Sequence, residues 1–130
     1  MAPASLKRIL YVEDEEDIQT VARLALETVG GFTLRVCSSG LEAIQAAPDF
    51  APQLILLDVM LPGMDGPSTL KGLRTVPELA STPVIFMTAK VQPGEIAGYR
   101  ELGALDVISK PFDPMTLSKR VLEIWNRAHD

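Results

Sequence analysis

The sequence predicts an α/β domain in which five parallel strands form one open sheet with helices on both faces. Five short segments rich in β-forming residues are each followed by a segment with apolar residues at helical spacing. Two of these segments, Leu54–Leu57 and Pro83–Met87, are nearly continuous apolar runs, which are typical of strands buried on both faces. Right-handed connections through the helices then give a doubly wound sheet.

The composition is that of one globular domain. The 130 residues are 47% hydrophobic and 22% charged, which suits a single domain over residues 1–130 with a core at about 7–127. The net charge of -5 argues against direct nucleic-acid binding, because no basic excess exists to meet phosphates. We expect neither a secretory signal nor a membrane span. The single Cys37 rules out an internal disulfide, so we expect a cytoplasmic protein.

The first helix follows a strand at Arg8–Val12 and an acidic run at Glu13–Asp17. Acidic side chains in a first turn complement the helix dipole, which accounts for the last three acids better than for the first two. Gly30-Gly31 supplies a stop signal. Between these points, apolar residues recur at helical spacing and are expected to face the core: Ile18, Val21, Ala22, Ala25 and Val29.

The second strand and helix are predicted at one side of the sheet. Phe32–Val36 alternates apolar and polar residues, which indicates an edge strand. Ser39 and Glu42 have capping-box spacing, so their side chains would satisfy exposed amides where a helix begins. We expect this helix to run through Ile44 to Pro48.

The third helix is predicted from its first turn. Asp65 is placed to cap it, and Pro67 lies where a missing amide costs little. Leu70 and Leu73 would then face the core. The loop that leads into this helix directly follows the buried strand that ends at Asp58.

The fourth helix, near residues 95–102, is the weakest of the five. Gly94 and Gly98 each cost about 1 kcal/mol relative to alanine in a helix interior. Gly103 is expected to end it.

The fifth strand, Leu105–Ser109, leads into Lys110 and the last helix. Asp113 is expected to cap this helix, with Pro114 in its first turn. Its inward stripe is expected to comprise Leu117, Val121, Ile124 and Ala128.

Four predicted strands deliver polar side chains to one edge of the sheet. In open α/β sheets, ligands bind beyond the carboxyl ends of the strands. The residues found at these ends are Glu13, Asp14, Asp58, Thr88 and Lys110. The sequence therefore predicts a site at this edge.

The residue types at this edge suit phosphoryl chemistry. Three carboxylates at close range repel each other and favour a cation, and Mg²⁺ prefers such oxygen ligands. Lys110 adds a point charge, and Thr88 adds a hydroxyl that can donate to a phosphoryl oxygen. The chain has no Gly-rich phosphate loop, so no nucleotide is implied. An aspartate in such a setting is equipped to form an aspartyl-phosphate.

Four sequence blocks resemble the signature motifs of response-regulator receiver domains. They are Val12-Glu13-Asp14-Glu15, the run from Leu56 through Leu57-Asp58-Val59-Met60 to Gly66, Met87-Thr88-Ala89, and Ser109-Lys110-Pro111-Phe112. Their order and spacing match over nearly the whole chain. The resemblance implies a flavodoxin-like (βα)5 fold with strand order 2-1-3-4-5. It also implies a signalling switch similar to the stand-alone chemotaxis regulators, and not a turnover enzyme.

The resemblance also implies a role for each site residue. Asp58 would accept a phosphoryl group from a histidine kinase or a histidine phosphotransfer protein. Asp14, Asp58 and the backbone carbonyl of Met60 would bind Mg²⁺ or Mn²⁺, and Glu13 would act through a water. Lys110 would bind the phosphoryl group, and its bond to Pro111 is expected to be cis. A solvated helix-start charge is an equally open interpretation of Glu13.

The expected switch departs from the family at one position. Thr88 would turn toward the phosphoryl group and draw the loop at Ala89 with it. Three residues before the lysine, where many family members have Tyr or Phe, this chain has Val107. Any output would then depend on the Thr88 loop and on the glycine-bearing fourth helix.

The partner surface is expected to span the fourth helix, fifth strand and fifth helix. Tyr99, Leu122 and Trp125 are its candidate residues, although peripheral packing is the favoured interpretation of Trp125. We expect a monomer or a weak dimer through this surface and an unidentified downstream protein target. His129 is expected to be a frayed terminal side chain.

Two other functions compete with the phosphoacceptor switch. A phospho-independent interaction module is disfavoured by the intact set of acids, Thr88 and Lys110. A hydrolase with an aspartate nucleophile would resemble a DxDx[TV] pattern. Asp58-Val59-Met60 lacks the second acid of that pattern.

Overall fold

The sheet has five parallel strands in the order β2-β1-β3-β4-β5. The computed structural model describes residues 5–129. The strands are β1 Arg8–Val12, β2 Thr33–Cys37, β3 Leu54–Asp58, β4 Val84–Thr88 and β5 Asp106–Ser109. This order confirms the doubly wound, flavodoxin-like prediction and places β2 at an edge, as its alternating pattern indicates.

The helices cover both faces of this sheet. Their bounds are α1 Glu16–Arg23, which continues as a π-helical turn at Leu24–Val29, α2 Gly40–Phe50, α3 Gly66–Arg74, α4 Pro93–Glu101 and α5 Leu117–Ala128. Side chains of α1 and α5 pack on one face, and those of α2, α3 and α4 pack on the other. In the part of the chain described, no helix combines the length and apolarity that a membrane crossing requires.

The central strands are buried along their whole length. Every residue of β3 and of β4 is buried, because helices cover both faces of a parallel sheet. The alternation of β1 sends Ile9 and Tyr11 toward α1 and α5, and Leu10 and Val12 toward the opposite face. Rigid packing on both faces fixes where each strand ends.

The inward face of α1 differs from the prediction. Val21 and Val29 are 38% and 44% exposed, whereas Leu26 is fully buried. For Val29 the cause is the π-helical turn, in which the Gly30 amide donates to the Ala25 carbonyl five residues earlier, at 3.2 Å. The extra residue in this turn rotates Val29 out of the stripe that a regular helix would form.

The capping box at α2 is confirmed, except that the Glu42 carboxylate binds the amide of Ser38 and not that of Ser39. The Glu42 amide donates to the Ser39 hydroxyl at 3.1 Å, and the Glu42 carboxylate accepts from the amide of Ser38 at 2.6 Å. The predicted end at Pro48 is wrong, because the helix continues to Phe50. It stops at Ala51, which adopts a left-handed conformation with φ 53°.

The start of α3 is as predicted. The Ser68 amide donates to Asp65 Oδ1 at 2.8 Å, and Leu70 and Leu73 are buried. Gly66 lies against the end of β3, since a Cβ there would be 2.6 Å from the Asp58 carbonyl oxygen. This close approach sets the path of the loop that follows Asp58.

Helix α4 is weakly anchored. None of its residues is buried, and it begins at Pro93, slightly earlier than predicted. Gly103 follows it with φ 108°, which confirms the predicted stop. The Tyr99 ring meets Phe86 of β4 edge-on, with centroids 5.3 Å apart.

Helix α5 differs from its prediction at both ends. Asp113 holds a preceding turn, accepting from the Met115 amide at 2.9 Å, and α5 begins only at Leu117. Ala128 is exposed, and Trp125 is buried in its place with 5% exposure. His129 is ordered and not frayed, because its ring stacks on Trp125 at 3.7 Å.

Candidate functional site

The carboxyl ends of four strands bring the predicted site residues to one edge. Asp58 and Thr88 are the last residues of β3 and β4, and Lys110 follows β5. Glu13 follows β1, whose Val12 pairs with Leu57. Because the strands are parallel and closely in register, these side chains leave the sheet at the same level.

Three carboxylates form a cluster at this edge, here called the acid cluster: Glu13, Asp14 and Asp58. One oxygen of each lies within 4.8 Å of the others. Glu13 and Asp58 are 1% and 3% exposed, whereas Asp14 is open to solvent. The cluster therefore has a buried base and an accessible side.

Lys110 bridges the two buried carboxylates. Its Nζ lies 2.9 Å from Glu13 Oε1 and 3.1 Å from Asp58 Oδ2. Burial alone would lower the pKa of Lys110, but hydrogen bonds and charge from Glu13 and Asp58 outweigh burial and raise that pKa. The Lys110–Pro111 peptide bond is cis, as predicted.

Glu13 belongs to the site and is not a solvated helix-start charge. Its Oε2 accepts from the Glu15 amide at 3.3 Å while Oε1 meets Lys110. A buried carboxylate held on both oxygens has a fixed orientation. The interpretation of Glu13 as a merely solvated charge is therefore wrong.

The acid cluster fits a divalent cation by charge and by donor type. Three carboxylates and one ammonium leave a balance of two negative charges at one edge. Hard carboxylate oxygens are the donors that Mg²⁺ prefers. Asp58 Oδ1 accepts from the Met60 amide at 3.2 Å, which holds the loop against the site. The Met60 carbonyl as a ligand stays a prediction.

Thr88 presents a buried hydroxyl at the end of β4, the strand that pairs with β3. Its side chain is 2% exposed, and its Oγ1 accepts from the Lys90 amide at 3.1 Å. Ala89, between them, is exposed. The Thr88 hydroxyl thus ties the loop after β4 to the strand end.

Val107, three residues before Lys110, is buried in β5. It is 6% exposed and pairs with Phe86 in the register of β4 and β5. A groove of about 330 Å³ lies over it between α4 and α5, and Ile96 and Phe112 are among its lining residues.

Comparison with known proteins decides the family. Residues 9–122 match the response regulator receiver domain. This chain is a receiver domain. The match covers the whole acid cluster and every strand residue except Arg8, the first residue of β1.

The similar proteins include both long and short chains. The chain is 39% identical over 122 residues to the alkaline phosphatase synthesis transcriptional regulatory protein PhoP of Bacillus subtilis, covering 94% of this chain and 50% of PhoP. It is 36% identical over 124 residues to the DNA-binding response regulator MtrA of Mycobacterium leprae, covering 95% of this chain and 53% of MtrA. The chain thus spans about half the length of these curated relatives.

Solved structures show the same fold. The chemotaxis protein CheY4 of Vibrio cholerae superposes with a TM-score of 0.84 at 26% identity, covering 92% of this chain and 99% of that chain. A response regulator structure from Chloroflexus aurantiacus has a TM-score of 0.81 at 32% identity, covering 92% and 98%. These chains have nearly the extent of the receiver domain described here.

The partner-surface residues of the receiver domain are not equally accessible. Tyr99 packs on the α2, α3 and α4 face, whereas Trp125 and Leu122 pack on the α1 and α5 face. Trp125 is a core residue, which agrees with the favoured packing interpretation and argues against Trp125 as a partner-surface candidate. Tyr99 and Leu122 are half-buried and keep some accessible area.

Tyr11 is a site neighbour that sequence reasoning missed. Its ring is fully buried in β1, and its hydroxyl lies 3.4 Å from Glu13 Oε1. Burial, and then the negative charges of Glu13 and Asp58, raise the pKa of Tyr11 and keep the hydroxyl protonated. The period of two along a strand could have placed Tyr11 and Glu13 on the same face.

Proposed function

We propose that this receiver domain accepts a phosphoryl group on Asp58 from a histidine kinase or a histidine phosphotransfer protein. The observation that carries this proposal is the Lys110 ammonium, which bridges Asp58 and Glu13 beside an acid cluster open on one side. Membership of the receiver family, which serves two-component signalling, supports a place of action in the cytoplasm.

Asp58 is the nucleophile in this proposal. One of its carboxylate oxygens attacks phosphorus, the bond between phosphorus and the donor's imidazole nitrogen breaks, and that nitrogen keeps the electron pair. The buried strand β3 holds Asp58 rigidly, which favours a positioned attack. Lys110 lies beside the attacking carboxylate and can pair with a phosphoryl oxygen as charge redistributes.

Mg²⁺, or Mn²⁺ in its place, would be held by Asp14 and Asp58, by the Met60 carbonyl, and by Glu13 through a water. When bound, such a cation offsets the negative charge of the phosphoryl oxygens and the acid cluster. The residues themselves supply the orientation. Asp14 lies on the accessible side, whereas Glu13 closes the buried side.

An apolar recess beside the site supports the approach of a protein donor. It measures about 430 Å³, and its lining includes Ile18, Val21 and Phe112 next to Lys110. The exposed Val21 of α1 contributes to this recess, although a regular inward stripe would have buried it. We propose that the phosphodonor protein docks here with its histidine over Asp58.

The switch in this proposal begins at Thr88. A phosphoryl group adds about -1.5 to -2 charges and three acceptor oxygens. The Thr88 hydroxyl, which now accepts from the Lys90 amide, would donate to one of these oxygens. The loop at Ala89 would follow, and Val107 would leave the adjoining groove without an aromatic side chain to fill it.

The proposed output is a protein–protein surface formed by α4, β5 and α5. The weak anchoring of α4, together with partial exposure of Tyr99 and Leu122, supports this choice. The domain would act as a monomer or a weak dimer through this face. PhoP and MtrA carry DNA-related functions in their names, and the acidic charge here supports no direct nucleic-acid contact by this domain.

Chemical phosphorylation tests the proposal. The protein is incubated with acetyl phosphate and either Mg²⁺ or EDTA, and its intact mass is measured. We expect one phosphoryl group with Mg²⁺, little with EDTA, and none in Asp58→Asn. Asp49→Asn, an exposed position on α2, is the matched control and should behave as wild type. Modification that persists in Asp58→Asn would contradict the proposal.

A further inference from the structure

Tyr11 places a single polar atom beneath the acid cluster. Its ring is fully buried among the side chains between the sheet and helices α1 and α5. Within residues 5–129, Glu13 is the only hydrogen-bond partner of its hydroxyl, at 3.4 Å. A buried hydroxyl without an acceptor would destabilise the fold, so the contact with Glu13 constrains both residues.

Glu13 receives its donors unequally. Tyr11 and Lys110 both donate to Oε1, and the Glu15 amide donates to Oε2. Lys110 divides its ammonium between Glu13 and Asp58, and its flexible, 19% exposed side chain can turn toward a phosphoryl oxygen. Tyr11 has no such choice, because core packing holds its ring in place.

We propose that Tyr11 is a positioning residue for the metal site, acting through Glu13. Its hydroxyl holds the Glu13 carboxylate inward when Lys110 moves to a phosphoryl oxygen. Within the described residues, this hydroxyl donates to Glu13 and makes no hydrogen bond to Asp58 or Asp14. This inference rests on the proposed function, because it presumes that the acid cluster binds Mg²⁺.

Tyr11→Phe isolates the hydroxyl, because the ring that fills the core remains. Tyr99→Phe is the matched control, since Tyr99 is a half-buried tyrosine whose ring packs on Phe86, on the face of the sheet opposite Tyr11. Mg²⁺ binding is measured by calorimetry for the wild type and both variants. We expect about tenfold weaker Mg²⁺ binding in Tyr11→Phe, the lower end of the range for loss of an outer-shell partner, and no change in Tyr99→Phe.

A double-variant cycle shows whether Tyr11 acts through Glu13. In a Glu13→Ala background, Tyr11→Phe should cause no further loss of Mg²⁺ affinity. An equal loss in both backgrounds would contradict the proposed route. A near-ultraviolet difference spectrum gives a second readout, because Mg²⁺ should perturb the Tyr11 phenol. The tyrosine signal should be absent in Tyr11→Phe and retained in Tyr99→Phe.

The outcomes separate this inference from the proposed function. If the wild type binds no Mg²⁺ and takes no phosphoryl group, the proposed function fails. If the wild type does both and Tyr11→Phe binds Mg²⁺ equally well, only the role of Tyr11 fails. A variant that loses thermal stability in EDTA but keeps its Mg²⁺ affinity would show that the hydroxyl is merely structural, which also overturns the inference.

Discussion

The Lys110 ammonium lies between two carboxylates that are almost fully buried, Glu13 and Asp58. Taking such charges out of water is costly, and mutual attraction offsets that cost only when each charge keeps its partner. Lys110 itself is 19% exposed, so it stays close to solvent while its ammonium reaches inward. A single side chain, Lys110, therefore offsets the charge of both buried carboxylates, and in the proposed function it would turn toward the phosphoryl group.

Removing the positive charge of Lys110 should destabilise the domain. In Lys110→Gln, we expect the free energy of unfolding in EDTA to fall by about 3 kcal/mol, because two buried carboxylates lose their counter-charge. Urea unfolding measures the effect. Lys119→Gln, at an exposed position of α5, is the control and should change stability little. Equal stability of Lys110→Gln and wild type would show that the bridge contributes nothing.

At the residue scale, the sequence predicted the site but not all of its contacts. Asp58, Thr88 and Lys110 were predictable because each ends or follows a β-forming strand segment. The burial of Glu13 was not, because adjacent acids that begin a helix look alike in sequence. Packing was the favoured interpretation of Trp125 from the sequence, and its burial agrees with that interpretation and not with a place on the partner surface.

At the scale of single elements, the start of α3 gives a pH-dependent prediction. The Ser68 amide donates to Asp65 and lowers the pKa of that carboxyl. Since the folded pKa lies below the unfolded one, Asp65 contributes stability above its ordinary value of about 3.9, and this is lost as pH falls through the folded pKa.

Asp65→Asn keeps a capping oxygen but removes this titration. We expect its unfolding free energy to decline less than that of the wild type between about pH 6 and about pH 3. Urea unfolding across this range is the measurement. An identical decline in both proteins would refute the contribution of Asp65.

Two glycines in helices should respond in opposite directions. A Cβ on Gly98 of α4 meets nothing within 4 Å, so Gly98→Ala should stabilise the domain by about 0.5–1 kcal/mol. A Cβ on Gly66 of α3 would lie 2.6 Å from the Asp58 carbonyl oxygen, so Gly66→Ala should destabilise it by about 2 kcal/mol. Thermal unfolding of both variants checks the pair. Similar effects at both positions would contradict the packing described.

Element boundaries show where local patterns lose their predictive value. The inward position of Val29 follows from a regular helical period, and the π-helical turn displaces it. Asp113 does accept a hydrogen bond from a backbone amide, as a capping residue would, but the turn that it stabilises comes before α5. Both errors arise where tertiary packing selects among local conformations that the sequence leaves nearly equal in energy.

At the scale of the whole molecule, strand order creates the site. The order β2-β1-β3-β4-β5 places β1, β3, β4 and β5 side by side, so residues as distant as Glu13 and Lys110 share one edge. The strand order and the shared edge were predictable, because apolar strands and helical connections imply a doubly wound sheet. The accessibility of the face formed by α4, β5 and α5 was not, since it depends on how Trp125 and Tyr99 pack.

We propose that this edge of the sheet is a Mg²⁺-dependent phosphoacceptor centred on Asp58. Borohydride reduction converts an aspartyl-phosphate to homoserine, so it marks the modified residue permanently. After treatment with acetyl phosphate and Mg²⁺, peptide mapping by mass spectrometry should find homoserine at position 58 and nowhere else. With EDTA in place of Mg²⁺, little should form. Homoserine at another aspartate, or its absence at position 58, would contradict the account.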